Sequence, residues 1–311
     1  MWYPCHPCIE FLASSAHNHT ITGTIAVVPA LALSLVIFSA VLHAGWNLLL
    51  KQVEEKYIVT WWSVLFSATL ALPVVLGGGL PGRAVWPYLI ASALIEAFYM
   101  AALASAYHLS DFSLVYPIAR GTAPAFLALW ALLLLDEQLT ASGVTGLALV
   151  VAGLILVGSN ELLHRRSDTA VRPVGIALAL GIALLISVYS ILDGLAVQMT
   201  PATPYTLVML GLSGVFFTPF ALRGNGWRKT LAVGRRHWRR ILVIGAAGLL
   251  AYGLVLNVYA IAPVSYAGAI REVSIVFAAL AGWKLLGEPM GRVRVIGSIV
   301  IFAGILLIAI S

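Results

Sequence analysis

Apolar residues in this chain run in long blocks separated by short polar clusters. Ten blocks can be drawn, at about 28–50, 57–77, 84–107, 112–135 and 142–159, then 173–198, 204–222, 241–261, 264–286 and 293–310. Several approach or exceed the roughly 20 residues needed to cross a hydrocarbon layer. None alternates with the period of two that marks a lipid-facing barrel strand. Lipid offers a bare backbone no hydrogen bonds, so each block predicts a helix. Most connections are short, which predicts antiparallel neighbours. The composition agrees: 61% of the 311 residues are hydrophobic and 10% are charged, too few charges to coat a soluble protein of this length. The expected fold class is an all-α integral membrane protein with ten transmembrane helices.

The pattern also repeats. Leu109 to Leu139 (LSDFSLVYPIARGTAPAFLALWALLLLDEQL) is echoed by Ile261 to Met290 (IAPVSYAGAIREVSIVFAALAGWKLLGEPM). A shift of 151 residues sets Arg120 on Arg271, Phe126 on Phe277 and Glu137 on Glu288. The same shift carries Gly146, Ala152 and Gly153 onto Gly297, Ala303 and Gly304. Five crossings per half is an odd number, so the second half enters the membrane with opposite polarity. The expected architecture is two inverted five-helix repeats, 28–159 and 173–310, joined by a linker at 160–172 and preceded by a poorly ordered segment at 1–27. Arg120 and Arg271 precede the middles of oppositely running helices. Their guanidinium groups should therefore lie on the order of 5 Å to either side of the midplane.

The doubled pattern resembles the EamA-type members of the drug/metabolite transporter superfamily. The resemblance rests on a helix that ends in an acidic residue (LLLLDEQL at 132–139, KLLGEPM at 284–290), followed by a glycine-containing closing helix, and it covers roughly 28–310. A bacterial subgroup is similar in three further places: His43-Ala44-Gly45-Trp46-Asn47, Leu114 to Gly121 (LVYPIARG) and Tyr189 to Gly194 (YSILDG). The resemblance implies a ten-helix secondary transporter that uses no ATP and carries small metabolites such as amino acids, nucleotide-linked sugars or triose phosphates.

Polar side chains inside the helices carry the candidate chemistry, because each is costly in lipid. Arg120 and Arg271 offer permanently charged planar forks for carboxylate or phosphate. Two such groups could clamp an anionic or zwitterionic substrate, or else pair internally with Glu96, Asp193 or Glu272. Pro117 and Pro124 predict a kink in the fourth helix beside Arg120. Glu96 could carry a proton or pair with an arginine. Glu272 is the second candidate for proton coupling. In a regular helix it points about 100° away from Arg271, so it is expected to meet Arg120 or the helix boundary.

His43, Trp46 and Asn47 could form a polar patch that contacts substrate, or could fill helix packing. Tyr116, Tyr266 and Asp193 complete the substrate-binding candidates. Tyr99, Tyr252 and Tyr259 stand beside them, with gap filling as the competing role for each tyrosine. Gly194, next to Asp193, predicts close approach of another backbone. Gly143, Gly146 and Gly153 in the fifth helix, with Gly297 and Gly304 in the tenth, read as scaffold that lets helices pack closely; the same faces could support a homodimer.

The cations are distributed unevenly. Lys51, Lys56, Arg165, Arg166, Arg172, Arg223, Arg228, Lys229, Arg235, Arg236, Arg239, Arg240, Arg292 and Arg294 all fall in odd-numbered loops, while the even-numbered loops hold Arg83 alone. The positive-inside rule puts the odd loops in the cytoplasm and both termini outside a bacterial inner membrane, opposite to the orientation understood for well-known relatives of the resembled family. Within the basic loop 223–240, Trp227, Leu231, Gly234 and Trp238 share one helical stripe, as in an amphipathic helix lying on anionic lipid. That explains the net charge of +6 without nucleic acid. In segment 1–27, Cys5-His6-Pro7-Cys8 matches C-x-x-C but has no second ligand pair, and the segment lacks the basic start of a signal peptide. An upstream mis-assigned start codon would account for it.

Three function classes remain open on the sequence. The favoured one is a secondary transporter of a small polar metabolite with an anionic or zwitterionic group, such as an amino acid or a phosphate or phosphonate compound, working by alternating access. A non-transporting scaffold or receptor is the alternative, disfavoured by matched charges inside the membrane. An intramembrane enzyme would need a nucleophile or metal motif such as HExxH or GxSxG, and neither occurs. No cofactor and no metal are expected.

Overall fold

The computed structural model describes residues 29–78, 80–109, 112–163, 173–286 and 292–310. The segment 1–27 with its two cysteines, residues 164–172 of the expected linker, and Glu288 lie outside the described residues. Among the described residues there are eleven α-helices, one short 3₁₀ turn and no strand. The helices are α1 (Ala30–Lys51), α2 (Lys56–Gly78), α3 (Trp86–Leu109), α4 (Phe112–Leu134), α5 (Ala141–Leu163), α6 (Pro173–Val197), α7 (Ala202–Leu222), α8 (Gly226–Tyr259), α9 (Val264–Arg271), α10 (Ser274–Leu286) and α11 (Arg292–Ala309). Each expected block is helical within a few residues.

Among the described residues, five helical stretches are long and apolar enough to cross a membrane: Ala30–Leu50, Arg83–Leu103, Gly175–Val197, Ala202–Leu222 and Gly226–Tyr259. Shorter apolar helices cover Ala119–Leu134, Ala141–Val157 and Val295–Ile308. The side-chain distribution is that of a membrane protein. Leu76, Leu133, Ile299 and Leu306 are each more than 60% exposed, whereas Glu96, Arg120, Asp193, Arg271 and Glu272 are buried.

Two departures from the sequence reading matter for the site. The ninth block is two helices rather than one, because α9 ends at Arg271 and α10 begins at Ser274. Across the gap the hydrogen bonds tighten to three-residue spacing, from Glu272 N to Ala269 O (3.1 Å) and from Val273 N to Ile270 O (3.0 Å). α4 runs as one helix through Pro117 and Pro124, the prolines expected to kink it. In addition, the basic loop and the eighth block merge into the 34-residue α8, with non-helical geometry at His237 (φ −107°, ψ 16°).

The first turns of α8 present one face to the bundle and another outward. Thr230 and Val233 face inward, Gly234 lies against the Trp62 indole, and Trp227 and Trp238 are exposed. The Trp62 indole N–H donates to Thr230 O (3.0 Å), and His237 lies 3.7 Å from the Glu55 carboxylate. This arm is therefore docked on the start of α2.

Packing pairs the helices in a regular way. α5 packs on α11, and α2 on α7. α4 and α3 both pack on α6, while α10 and α8 both pack on α1. α2 meets α8, and α7 meets α3. The α5–α11 seam depends on glycine. A Cβ on Gly146 would come within 2.7 Å of Gly304 O, and one on Gly297 within 2.9 Å of Gly153 O. Backbones this close exclude any side chain, so the scaffold role expected of Gly146, Gly153, Gly297 and Gly304 is met inside a single chain. Gly143 instead makes room for the Tyr266 ring. Serines bridge other helices, as when Ser39 Oγ donates to Ala251 O (2.7 Å) and Ser67 Oγ to Gly245 O (3.0 Å).

Candidate functional site

The site is built around the interruption between α9 and α10. α4 ends with Asp136 in the left-handed region (φ 50°), and Glu137 N donates back to Ala131 O (3.3 Å). This is the six-to-one closure that usually takes glycine at the left-handed position; a short polar Asp tolerates it. The turn aims Glu137 at the first residues of α9. Its carboxylate accepts from Val264 N, Ser265 N and the Ser265 hydroxyl, neutralising donors that a helix start leaves orphaned. Burial pushes the Glu137 carboxyl above the ordinary glutamate range, against the opposing pull of those donors. The acidic end that marks the repeat is thus a cap supplied across the chain. Close packing fixes the rest of α9. A Cβ on Gly268 would meet Leu127 of α4 at 2.3 Å, and one on Gly194 would meet Val264 at 3.1 Å. The close approach expected at Gly194 is therefore to a side chain of α9.

With α9 held at its start, its last residue, Arg271, faces Arg120 of α4 across one carboxylate. Glu272 Oε2 lies 3.1 Å from Arg120 Nε, and Glu272 Oε1 accepts from Arg271 Nη2 (3.2 Å) and Nε (3.3 Å). The side chains of both arginines are 6% exposed and that of Glu272 is 1% exposed. Glu272 was expected to avoid Arg271 because neighbours in a helix diverge. The chain is not helical at 272–273, and the two side chains fold back onto each other. Arg120 Nη2 also meets His43 Nε2 at 2.8 Å, and the His43 ring contacts Trp46 edge-on with centroids 4.9 Å apart. A narrow crevice lies beside this group, lined by Ala123, Pro124, Ile186, Ser187, Gly268 and Arg271.

Two further polar nodes flank the arginines. Asp193 of α6 accepts from Tyr205 Oη (2.6 Å) and from Tyr252 Oη, and the Tyr189 ring stands between Tyr252 (6.3 Å) and Tyr99 (5.9 Å). Glu96 of α3 accepts from Ser213 Oγ of α7 at 2.6 Å. Among the described residues the carboxylate between the two arginines is that of Glu272. Ser213 and Tyr205 went unnoticed in the sequence; both are ordinary residues inside an apolar block, and only packing reveals what they face.

Other expected residues fall elsewhere. The Asn47 amide bonds its own helix at His43 O (2.7 Å), and Tyr266 packs over Gly143 in α5. The Tyr116 side chain lies outside the described residues. Among the described residues no cluster of three His, Cys, Asp or Glu side chains could hold a metal. The group described is two guanidinium groups that share one carboxylate.

Comparison with known proteins bears on this geometry. Residues 173–310 match the model of the EamA-like transporter family, a transporter family rather than an enzyme family. No curated protein matches the chain. A solved structure described only as a crystal structure of protein superposes with a TM-score of 0.69 at 15% identity, covering 90% of this chain and 96% of that one, a likeness that speaks for the fold alone. The apolar helices mark an integral membrane protein, and its residues 173–310 are similar to the EamA-like transporter family, a family of the drug/metabolite transporter superfamily.

Proposed function

We propose that the protein is a secondary transporter of a small polar metabolite bearing a carboxylate, phosphate or phosphonate, zwitterionic amino acids included. The observation that carries this reading is the Glu272 carboxylate held between Arg120 and Arg271 where α9 gives way to α10. Interrupted helices with a charged lining are the usual substrate sites of carriers built from inverted repeats. Ten spans in two inverted five-helix repeats suit the packing, since several helix pairs have a partner when the halves are exchanged: α4–α6 with α1–α10, α3–α6 with α1–α8, and α2–α8 with α3–α7. The Gly146–Gly304 and Gly153–Gly297 contacts exchange in the same way.

Glu96, held by a serine rather than by a cation, is the proton-coupling residue in this reading. The odd-numbered loops face the cytoplasm of a bacterial inner membrane. The exposed Trp227, Trp238 and arginines of the α8 arm rest on anionic lipid there. The test is flux in proteoliposomes across a panel of amino acids, phosphate esters and phosphonates. Substrate-dependent flux of an anionic or zwitterionic compound is expected. A folded protein that moves none of them is a scaffold or receptor, with the buried ion pairs serving only to lock helices together.

A further inference from the structure

We propose that Glu272 is an internal stand-in for the substrate's anionic group: it occupies the arginine forks when the carrier is empty and gives them up when a carboxylate or phosphate arrives. This rests on the transporter reading above and adds the competition that sets affinity. The first support is the contact pattern. Each Glu272 oxygen serves a different arginine, Oε1 on Arg271 and Oε2 on Arg120. An incoming carboxylate has the same two oxygens to offer, a phosphate ester or phosphonate three, and inorganic phosphate four. The second support is the backbone. Glu272 is the cap residue after α9, with φ −70° and ψ −8°, outside both helices. A shift of this junction would move the Glu272 carboxylate with fewer ladder bonds at stake than a shift inside α4 or α9. The third is burial. Two guanidinium groups stripped of water are costly without a counter-anion, and Glu272 supplies one from the chain itself.

The competition has a measurable sign. Replacing the charged carboxylate by an amide removes a tethered competitor, so a free anion binds more tightly rather than less. Purified full-length protein in neutral detergent would be titrated with inorganic phosphate and with acetate, at constant ionic strength set with chloride, following thermal stability and calorimetric heat. Glu272→Gln is expected to bind phosphate at least about tenfold more tightly than the parent chain. The double variant Arg120→Gln/Glu272→Gln is expected to lose that gain. If Glu272→Gln does not fold, Glu272→Asp keeps the charge but is too short to span both arginines. It should show a smaller gain of about threefold. Unchanged phosphate affinity in the folded Glu272 variant, together with loss of binding when Arg120 is removed, overturns the competition while leaving the arginines as the anion site. No anion binding by any folded variant overturns both the competition and the anionic-substrate reading.

Discussion

Arg120→Ala and Arg271→Ala should each abolish flux in proteoliposomes by a larger factor than they reduce folded yield, because a fork that binds substrate is lost in either case. Loss of flux and yield in equal measure would make the cluster a structural ion pair. Glu96 gives a second prediction. If it carries the proton, Glu96→Gln should remove dependence on a pH gradient while preserving counterflow exchange; gradient dependence that survives the change assigns the proton elsewhere. His43 supports Arg120 rather than acting alone, since its ring nitrogen lies 2.8 Å from the guanidinium. The arginines were legible in the sequence because charge within an apolar block is conspicuous. A meeting of Glu272 with Arg120 was legible too; that Glu272 also serves Arg271 was not, because the expectation assumed a regular helix where the chain is interrupted.

The cap on α9 and the α5–α11 seam are properties of whole elements. Glu137→Ala removes acceptors from Val264 and Ser265 and should cost about 1 kcal/mol by thermal unfolding. The raised Glu137 carboxyl has a pH consequence. Below the unfolded-state value both states are protonated; between that value and the raised folded-state value the folded state holds the proton more firmly, so stability falls as pH rises through the window. Glu137→Gln should flatten that dependence in a melting profile taken from about pH 4 to pH 7. At the seam, Gly304→Ala would put a Cβ 2.6 Å from Gly146 O, a backbone atom that cannot rotate away. The expected cost is about 1–3 kcal/mol. Gly248→Ala, where nothing lies within 4 Å, should be neutral or stabilising by about 0.5–1 kcal/mol. The repeated acidic end of the helix was visible as a motif. That it caps a helix about 130 residues further along the chain was not, since no local pattern records which element stands opposite.

At the scale of the molecule, orientation is the open consequence of charge. In a chain with Cys5→Ser and Cys8→Ser, a single Arg235→Cys on the α8 arm should resist an impermeant maleimide in right-side-out vesicles. It should react once the membrane is permeabilised. Labelling in sealed vesicles would place the arm outside and defeat the positive-inside assignment.

By itself the sequence determined what lipid and backbone chemistry enforce everywhere: helical blocks, their near-boundaries, few charges, and a repeated arginine. Those features follow from local solubility and from hydrogen bonds that each segment must satisfy within itself. Tertiary structure decided the rest: the interruption at Glu272, the capping of α9 by Glu137, the serine and tyrosine partners of Glu96 and Asp193, and the docking of the α8 arm on α2. Each joins residues distant in the chain through the distance between side chains, a quantity that packing sets and that periodicity along the chain does not contain.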